Sequence, residues 1–178
     1  GNYLKALGVK IQGWGTGCIK IKGQKEYSKE NLIFKIIPDR IEASTYFIMA
    51  AAIGDGISVQ GCCSEHCKET LKILRNMGCN IKEHKYKYDG EEQSIIEISD
   101  GAIRKKLKSP GVIIADAYPS FPTDAQSLIL PLLAVAKGET YVIDKIFPKR
   151  FKAAEELMKT GARIKHTESG IHITGRNH

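Results

Sequence analysis

The stretches "ISVQGCCSEHCKETLKILRNMGCNI" (Ile57–Ile81) and "TYVIDKIFPKRFKAAEELMKTGARI" (Thr140–Ile164) are equal in length and alike in pattern. In each, an alternating apolar strand passes through a short turn into an amphipathic helix, and a glycine (Gly78, Gly161) stops that helix before another strand. The likeness continues upstream. "RIEASTYFIMAAAIGDG" (40–56) and "PTDAQSLILPLLAVAKG" (122–138) both read as apolar helices that end in glycine, Gly56 and Gly138. Downstream, "NIKEHKYKYDG" with "SIIEISDG", and "RIKHTESG" with "IHITG", read as hairpins.

Each unit is therefore predicted as strand, buried helix, strand, amphipathic helix, strand, strand: an α/β (α+β) fold of repeated βαβαββ units. The opening "YLKALGVKI" (Tyr3–Ile11) and "KIQGWGTGCIKIKG" match the tail of such a unit, with Trp14 packed in its hairpin turn. The predicted boundaries are 1–36 for that tail, 37–110 for one whole unit and 111–178 for the next. A helix that is apolar on all sides belongs inside a core, and one unit cannot bury it alone, so several units must pack around a common centre. Pro131 should kink the second inner helix or shift its bonding, since it lacks an N–H.

Composition narrows the class. With 178 residues, 42% hydrophobic and 26% charged, the chain can build a core, and no charge-free run approaches the ~20 residues of a membrane span. An odd count of five irregularly spaced cysteines favours reduced thiols in a cytoplasmic protein. The chain begins at Gly1 without a basic-then-apolar leader, which reads as a boundary inside a longer protein. The net charge of +7 attracts anions of every kind, and the run Arg104, Lys105, Lys106, Lys108 reads either as a solvated face or as a phosphate or nucleic-acid footprint. "CCSEHC" (Cys62, Cys63, His66, Cys67) has the residue types of a zinc site, but adjacent cysteines point to different faces and no second pair lies near, so these read as packed thiols and no metal is expected. His84, His166 and His172 read as surface residues of the closing strands.

In "YPSFPTDAQ" (Tyr118–Gln126) a single acid, Asp124, stands at the mouth of the second inner helix. Two readings compete: a helix cap, or an acid presented to a cleft, where the helix dipole favours its charged form and so weakens it as a base. Glu42 is its counterpart in the repeat and reads as structural, with Asp39 as cap and Arg40 as ion-pair partner of both acids.

"IIPDRIEASTYFIMAAA" (Ile36–Ala52), "YPSFPTDAQ", and "IFPKRF" (Ile146–Phe151) with "ELMKTGA" together resemble the UDP-N-acetylglucosamine enolpyruvyl transferases (1-carboxyvinyltransferases) over essentially the whole chain. The enolpyruvyl transferases of the shikimate pathway share the repeat but are less similar at both motif strings. The resemblance implies an enzyme of two domains, each an inverted α/β barrel of three units with inner apolar helices covered by mixed sheets. It implies transfer of enolpyruvate from phosphoenolpyruvate to the sugar's 3-hydroxyl, the first committed step of peptidoglycan and cell-wall synthesis, without cofactor.

By the same resemblance Asp124 binds the 3-hydroxyl and takes or relays its proton, and Arg150 lies near both substrates. The Ile146 backbone touches the sugar nucleotide, and Phe147 follows in the pocket. The family's catalytic cysteine loop matches none of these residues, so the chain is expected to be an internal fragment, inactive alone, whose partner is the rest of the same enzyme. One departure stands out: Pro148 and Lys149 replace the family's acid and amide. A divergent inactive paralogue is one alternative. A basic RNA-binding module of the same repeat is another, but no aromatic-plus-glycine stacking signature accompanies the charge.

Overall fold

The computed structural model describes residues 1–26, 31–53, 56–99 and 107–176. Arg104, Lys105 and Lys106 lie outside the described residues. Two compact units divide the chain, Gly1–Ile37 and Pro38–His178.

In the first unit, helix α1 (Asn2–Ala6) leads to the antiparallel hairpin of β1 (Lys10–Gln12) and β2 (Lys20–Lys22). Trp14 stands in the connection between these strands, 43% exposed, with the Lys5 ammonium 4.9 Å from its ring centroid. It stands in the hairpin turn as expected, its ring against a surface lysine.

The second unit holds the repeat. Its elements are α2 (Arg40–Ile53), β3 (Ile57–Cys62), α3 (Lys68–Met77), β4 (Asn80–Tyr88), β5 (Glu91–Ser99), β6 (Val112–Ala115), α4 (Thr123–Val135), β7 (Glu139–Asp144), α5 (Lys152–Lys159), β8 (Arg163–His166) and β9 (Gly170–Thr174). From β6 to β9 the order is βαβαββ, as predicted. The repeat before it opens directly with α2. Residues 32–39 form no strand, and Ile33, Ile36 and Ile37 are exposed. An apolar run becomes a strand only against a partner edge, and none of the described strands pairs with this one.

Two sheets result, β3-β5-β4, all antiparallel, and β6-β7-β9-β8, in which β6 and β7 run parallel and the other pairs antiparallel. The turns follow their chemistry. Asp89 and Gly90 both take positive φ between β4 and β5, as a tight hairpin with right-handed twist requires. Gly78 closes α3 at φ 103°, and Gly161 follows α5 at φ 91°.

The core forms where α2 and α4 pack on one another and on the inner faces of the sheets. Phe47, Ile48, Leu71, Leu74, Ile96, Ile129, Leu130, Leu133 and Ile171 are all buried there. Each such side chain contributes roughly 1.5–3 kcal/mol by leaving water. Within the described residues the two inner helices are not buried on all sides. Each keeps one bare flank: Glu42, Tyr46, Met49 and Ile53 on α2, and Asp124, Ser127, Pro131 and Val135 on α4. The spacing is helical, three or four residues apart, so each set is one continuous stripe. Each helix meets a sheet and its neighbour helix, and no described element covers the remaining side. α4 runs through Pro131, whose ring stands on that bare flank; the carbonyl its missing N–H leaves free belongs to exposed Ser127.

Three of the five thiols, those of Cys62, Cys67 and Cys79, are packed inside, while Cys18 is exposed. Cys62 and Cys67 are buried, their sulfurs directed at the Ser94 and Arg40 carbonyls at 3.5 and 3.7 Å. Burial pushes the Cys67 thiol up to about 12, and burial raises Cys62 as well. Among the described residues, no group of three or more His, Cys, Asp or Glu is placed to hold a metal ion, and no helix is long and apolar enough to cross a membrane.

His84 and His166 are exposed as expected; His172 is not. It is stacked on Tyr141, with centroids 4.5 Å apart and planes at 24°, and is half-buried. The cause is cross-strand pairing, since Tyr141 on β7 faces His172 on β9.

Candidate functional site

The parallel pair β6 and β7 ends on one side of the sheet, where the chain turns into the N-termini of α4 and α5. In open α/β sheets the carboxyl ends of parallel strands are where ligands gather. Of the four residues singled out by sequence, Ile146, Phe147 and Arg150 lie in the connection from β7 to α5, and Asp124 lies in the first turn of α4.

α4 starts at Thr123 with Pro122 as its N-cap, and among the described residues no side-chain cap bonds to its free amides. Asp124 therefore does not cap its helix, and the capping reading fails. Its carboxylate is 58% exposed and pairs with the Arg150 guanidinium, Oδ1 to Nη2, at 3.5 Å. The equivalent helix behaves differently. Asp39 accepts the Ile41 and Glu42 N–H groups at 2.7 and 3.2 Å and caps α2. Arg40 forms no ion pair with Asp39 or Glu42 among the described residues; its guanidinium lies over the Tyr118 ring, 5.1 Å from the centroid. A planar cation beside an exposed aromatic face gains there what it would gain little from a solvated carboxylate.

Arg150 is the hub of the site. Its Nη2 donates to the Thr123 carbonyl and to Thr123 Oγ1, both at 2.7 Å, and the guanidinium lies 4.5 Å from the Phe147 ring centroid. The loop that delivers it is a tight turn: Arg150 N–H donates to the Phe147 carbonyl at 3.0 Å, with Pro148 second in the turn. Proline is pre-set for that position, so this departure from the family string fits the local geometry. Ile146 and Phe147 are 40% and 47% exposed.

Beneath them lies a residue the sequence reading passed over. Asp144, last in β7, is 1% exposed, and its Oδ1 accepts the Ile146 and Phe147 N–H groups at 2.9 and 2.8 Å. Its Oδ2 accepts the Thr123 hydroxyl. A signal for it existed. In β7 the alternate residues Thr140, Val142 and Asp144 face inward, and an acid in the last inward slot of an alternating strand needs a reason. At the rim, Asp116 follows β6 and Lys145 follows β7, paired at 3.2 Å. The Ala117 N–H and then Lys145 hold the Asp116 carboxyl below its usual range.

Taken together, the site offers an exposed carboxylate, a guanidinium fixed on two sides, and an exposed aromatic, all supported by one buried acid. A guanidinium fork suits phosphate or carboxylate, and a carboxylate beside it suits a hydroxyl.

The profile of the EPSP synthase (3-phosphoshikimate 1-carboxyvinyltransferase) family matches residues 1–178. The chain belongs to this family. Among its relatives, the UDP-N-acetylglucosamine 1-carboxyvinyltransferase 2 of Staphylococcus epidermidis is 38% identical over 168 residues, 94% of this chain and 36% of that protein. The Latilactobacillus sakei protein of the same name is 39% identical over 163 residues, 91% of this chain and 36% of its own.

The resemblance read from the motif strings is thus borne out, and the chain spans about a third of the length of these relatives. Solved structures agree on the fold. The enolpyruvyl transferase NikO from Streptomyces tendae superposes with a TM-score of 0.72 at 23% identity, covering 98% of this chain and 38% of that one. An EPSP synthase from Acinetobacter baumannii gives 0.60 at 20% identity, covering 98% and 39%.

Proposed function

We propose that this family member is part of a cytoplasmic enzyme that transfers enolpyruvate from phosphoenolpyruvate to the 3-hydroxyl of UDP-N-acetylglucosamine, the step that commits the sugar to peptidoglycan. The observation that carries the reading is the Asp124–Arg150 pair at the carboxyl ends of β6 and β7. It is supported by relatives of that name over nine-tenths of the chain.

In this reading residues 1–36 close the last unit of one domain, while 37–110 and 111–178 are two units of the next. Asp124 binds and orients the 3-hydroxyl and relays its proton. Arg150 steers the anionic substrates, and Ile146 and Phe147 form the wall against which the sugar nucleotide rests. The departing group is inorganic phosphate. The 3-oxygen adds to C2 of phosphoenolpyruvate as C3 takes a proton; phosphate and a C3 proton then leave.

The remaining parts of the active centre, including the family's cysteine loop, come from the rest of the enzyme, so the 178-residue chain is inactive alone. Phosphate release from phosphoenolpyruvate in the presence of UDP-N-acetylglucosamine tests both claims. Turnover by the isolated chain would refute the fragment reading. In the complete enzyme, Asp124→Asn is expected to lower kcat by at least about a hundredfold with a smaller change in sugar-nucleotide affinity; an unchanged rate would remove Asp124 from the mechanism.

A further inference from the structure

We propose that buried Asp144 positions Arg150, acting through the hydroxyl of Thr123; for substrate binding this rests on the reading of Arg150 given above. A threonine hydroxyl has one proton and can accept on its lone pairs. Here the proton goes to Asp144 Oδ2, which leaves the lone pairs turned toward Arg150 Nη2 at 2.7 Å. The hydrogen bonds thus run in one direction, guanidinium to hydroxyl to carboxylate.

Asp144 has a second hold on the same guanidinium. Its other oxygen binds the N–H groups of Ile146 and Phe147, and the Phe147 carbonyl accepts the Arg150 N–H at 3.0 Å, while the Phe147 ring flanks the guanidinium. One carboxylate with 1% exposure therefore fixes both the loop that carries Arg150 and the helix end that receives it. Asp144 touches no exposed surface from which a substrate would bind. Its action on chemistry is through Arg150, whose register with Asp124 it sets.

Isosteric changes separate this role from simple loop capping. Thr123→Val keeps the shape and both N–H bonds of Asp144 but removes the relay. Thr123→Ser restores the hydroxyl. Asp144→Asn keeps an oxygen for the loop amides yet places an NH2 against Thr123, so the hydroxyl would be flanked by two donors and its proton left without an acceptor.

The experiment uses the 178-residue chain with 15N-labelled arginine and follows the Arg150 side-chain resonances, assigned by Arg150→Lys. In the wild type, hindered rotation of the guanidinium is expected. In Thr123→Val and Asp144→Asn the rotation rate should rise by about tenfold or more, the equivalent of one hydrogen bond to a charged group, and Thr123→Ser should restore it. Well-dispersed backbone amides of Ile171 and Ile173 certify folding. Should Asp144→Asn fail to fold, Thr123→Val decides alone, and an Arg150 that rotates as in the wild type overturns the proposal.

A parallel titration of the complete enzyme and its variants with UDP-N-acetylglucosamine reads the functional half. Affinity lost by about tenfold in Thr123→Val and regained in Thr123→Ser supports it. Affinity equal to the wild type in Thr123→Val overturns that half. If the wild type binds no sugar nucleotide while the rotation data behave as stated, the positioning role stands and the substrate reading falls.

Discussion

Asp39 and Asp124 stand at matching helix starts of the repeat and do different work, which replacing each by alanine should expose. Asp39 satisfies two of the four amides that a helix N-terminus leaves free, at 2.7 and 3.2 Å. Losing such a cap costs typically about 1 kcal/mol, within a range of about 0.5–2. Asp124 makes no capping bond, and its pairing with Arg150 at 3.5 Å is between partly exposed groups, a class worth about 0–1 kcal/mol. Both residues lose a similar interaction with the helix dipole, about 0.3–1 kcal/mol, so that part cancels in the comparison.

Asp39→Ala should therefore be destabilised by about 0.5 kcal/mol more than Asp124→Ala, a gap of about 1–2 °C in Tm for a chain of this size. Urea or thermal unfolding of the two variants and the wild type measures it, with m-values compared to verify that the transition itself is unchanged. If Asp124→Ala proves as destabilising as Asp39→Ala, Asp124 is a structural residue and its placement in the active centre is wrong.

Gly175→Ala should lower Tm, because its Cβ would lie 1.7 Å from the Ala136 carbonyl oxygen and 2.9 Å from its carbon, backbone atoms that cannot yield without moving the end of α4. A cost of about 1–3 kcal/mol is expected, while Gly23→Ala, with open space around it, should be near neutral. At neutral pH a maleimide should modify exposed Cys18 first and leave Cys62 and Cys67 unlabelled until the protein unfolds, as mass spectrometry of peptides would reveal. Because the folded Cys67 value is raised from 9.0 to about 12, its contribution is intact below pH 9 and is lost as pH rises through that interval, so urea midpoints should fall there. Glu83 has the opposite sign. Hydrogen bonding from Ser64 lowers it from 4.5, so its contribution is present above that value and disappears as pH falls through the lowered one. Ser64→Ala should flatten that acid limb.

The repeat was legible because it is written in local signals: period-two strands, amphipathic helices and glycines at helix ends. Gly78 and Gly161 announce their turns within a few residues of sequence. Asp124 and Arg150 were legible through motif strings. What held them in place was not, because the bonds from Thr123 span 21 residues to Asp144 and 27 to Arg150. No local rule pairs such positions. The missing opening strand before α2 has the same origin: the apolar residues Ile33, Ile36 and Ile37 fit a strand, but strand formation depends on an edge elsewhere. His172 misled for a similar reason, its burial being decided by the Tyr141 ring across the sheet.

The bare flanks of α2 and α4 carry a geometric consequence. Each helix already spends one side on a sheet and one on the other helix. Each therefore keeps one side that a further apolar element could cover. Tyr46, Met49, Ile53 and Val135 are the exposed apolar residues that such an element would meet.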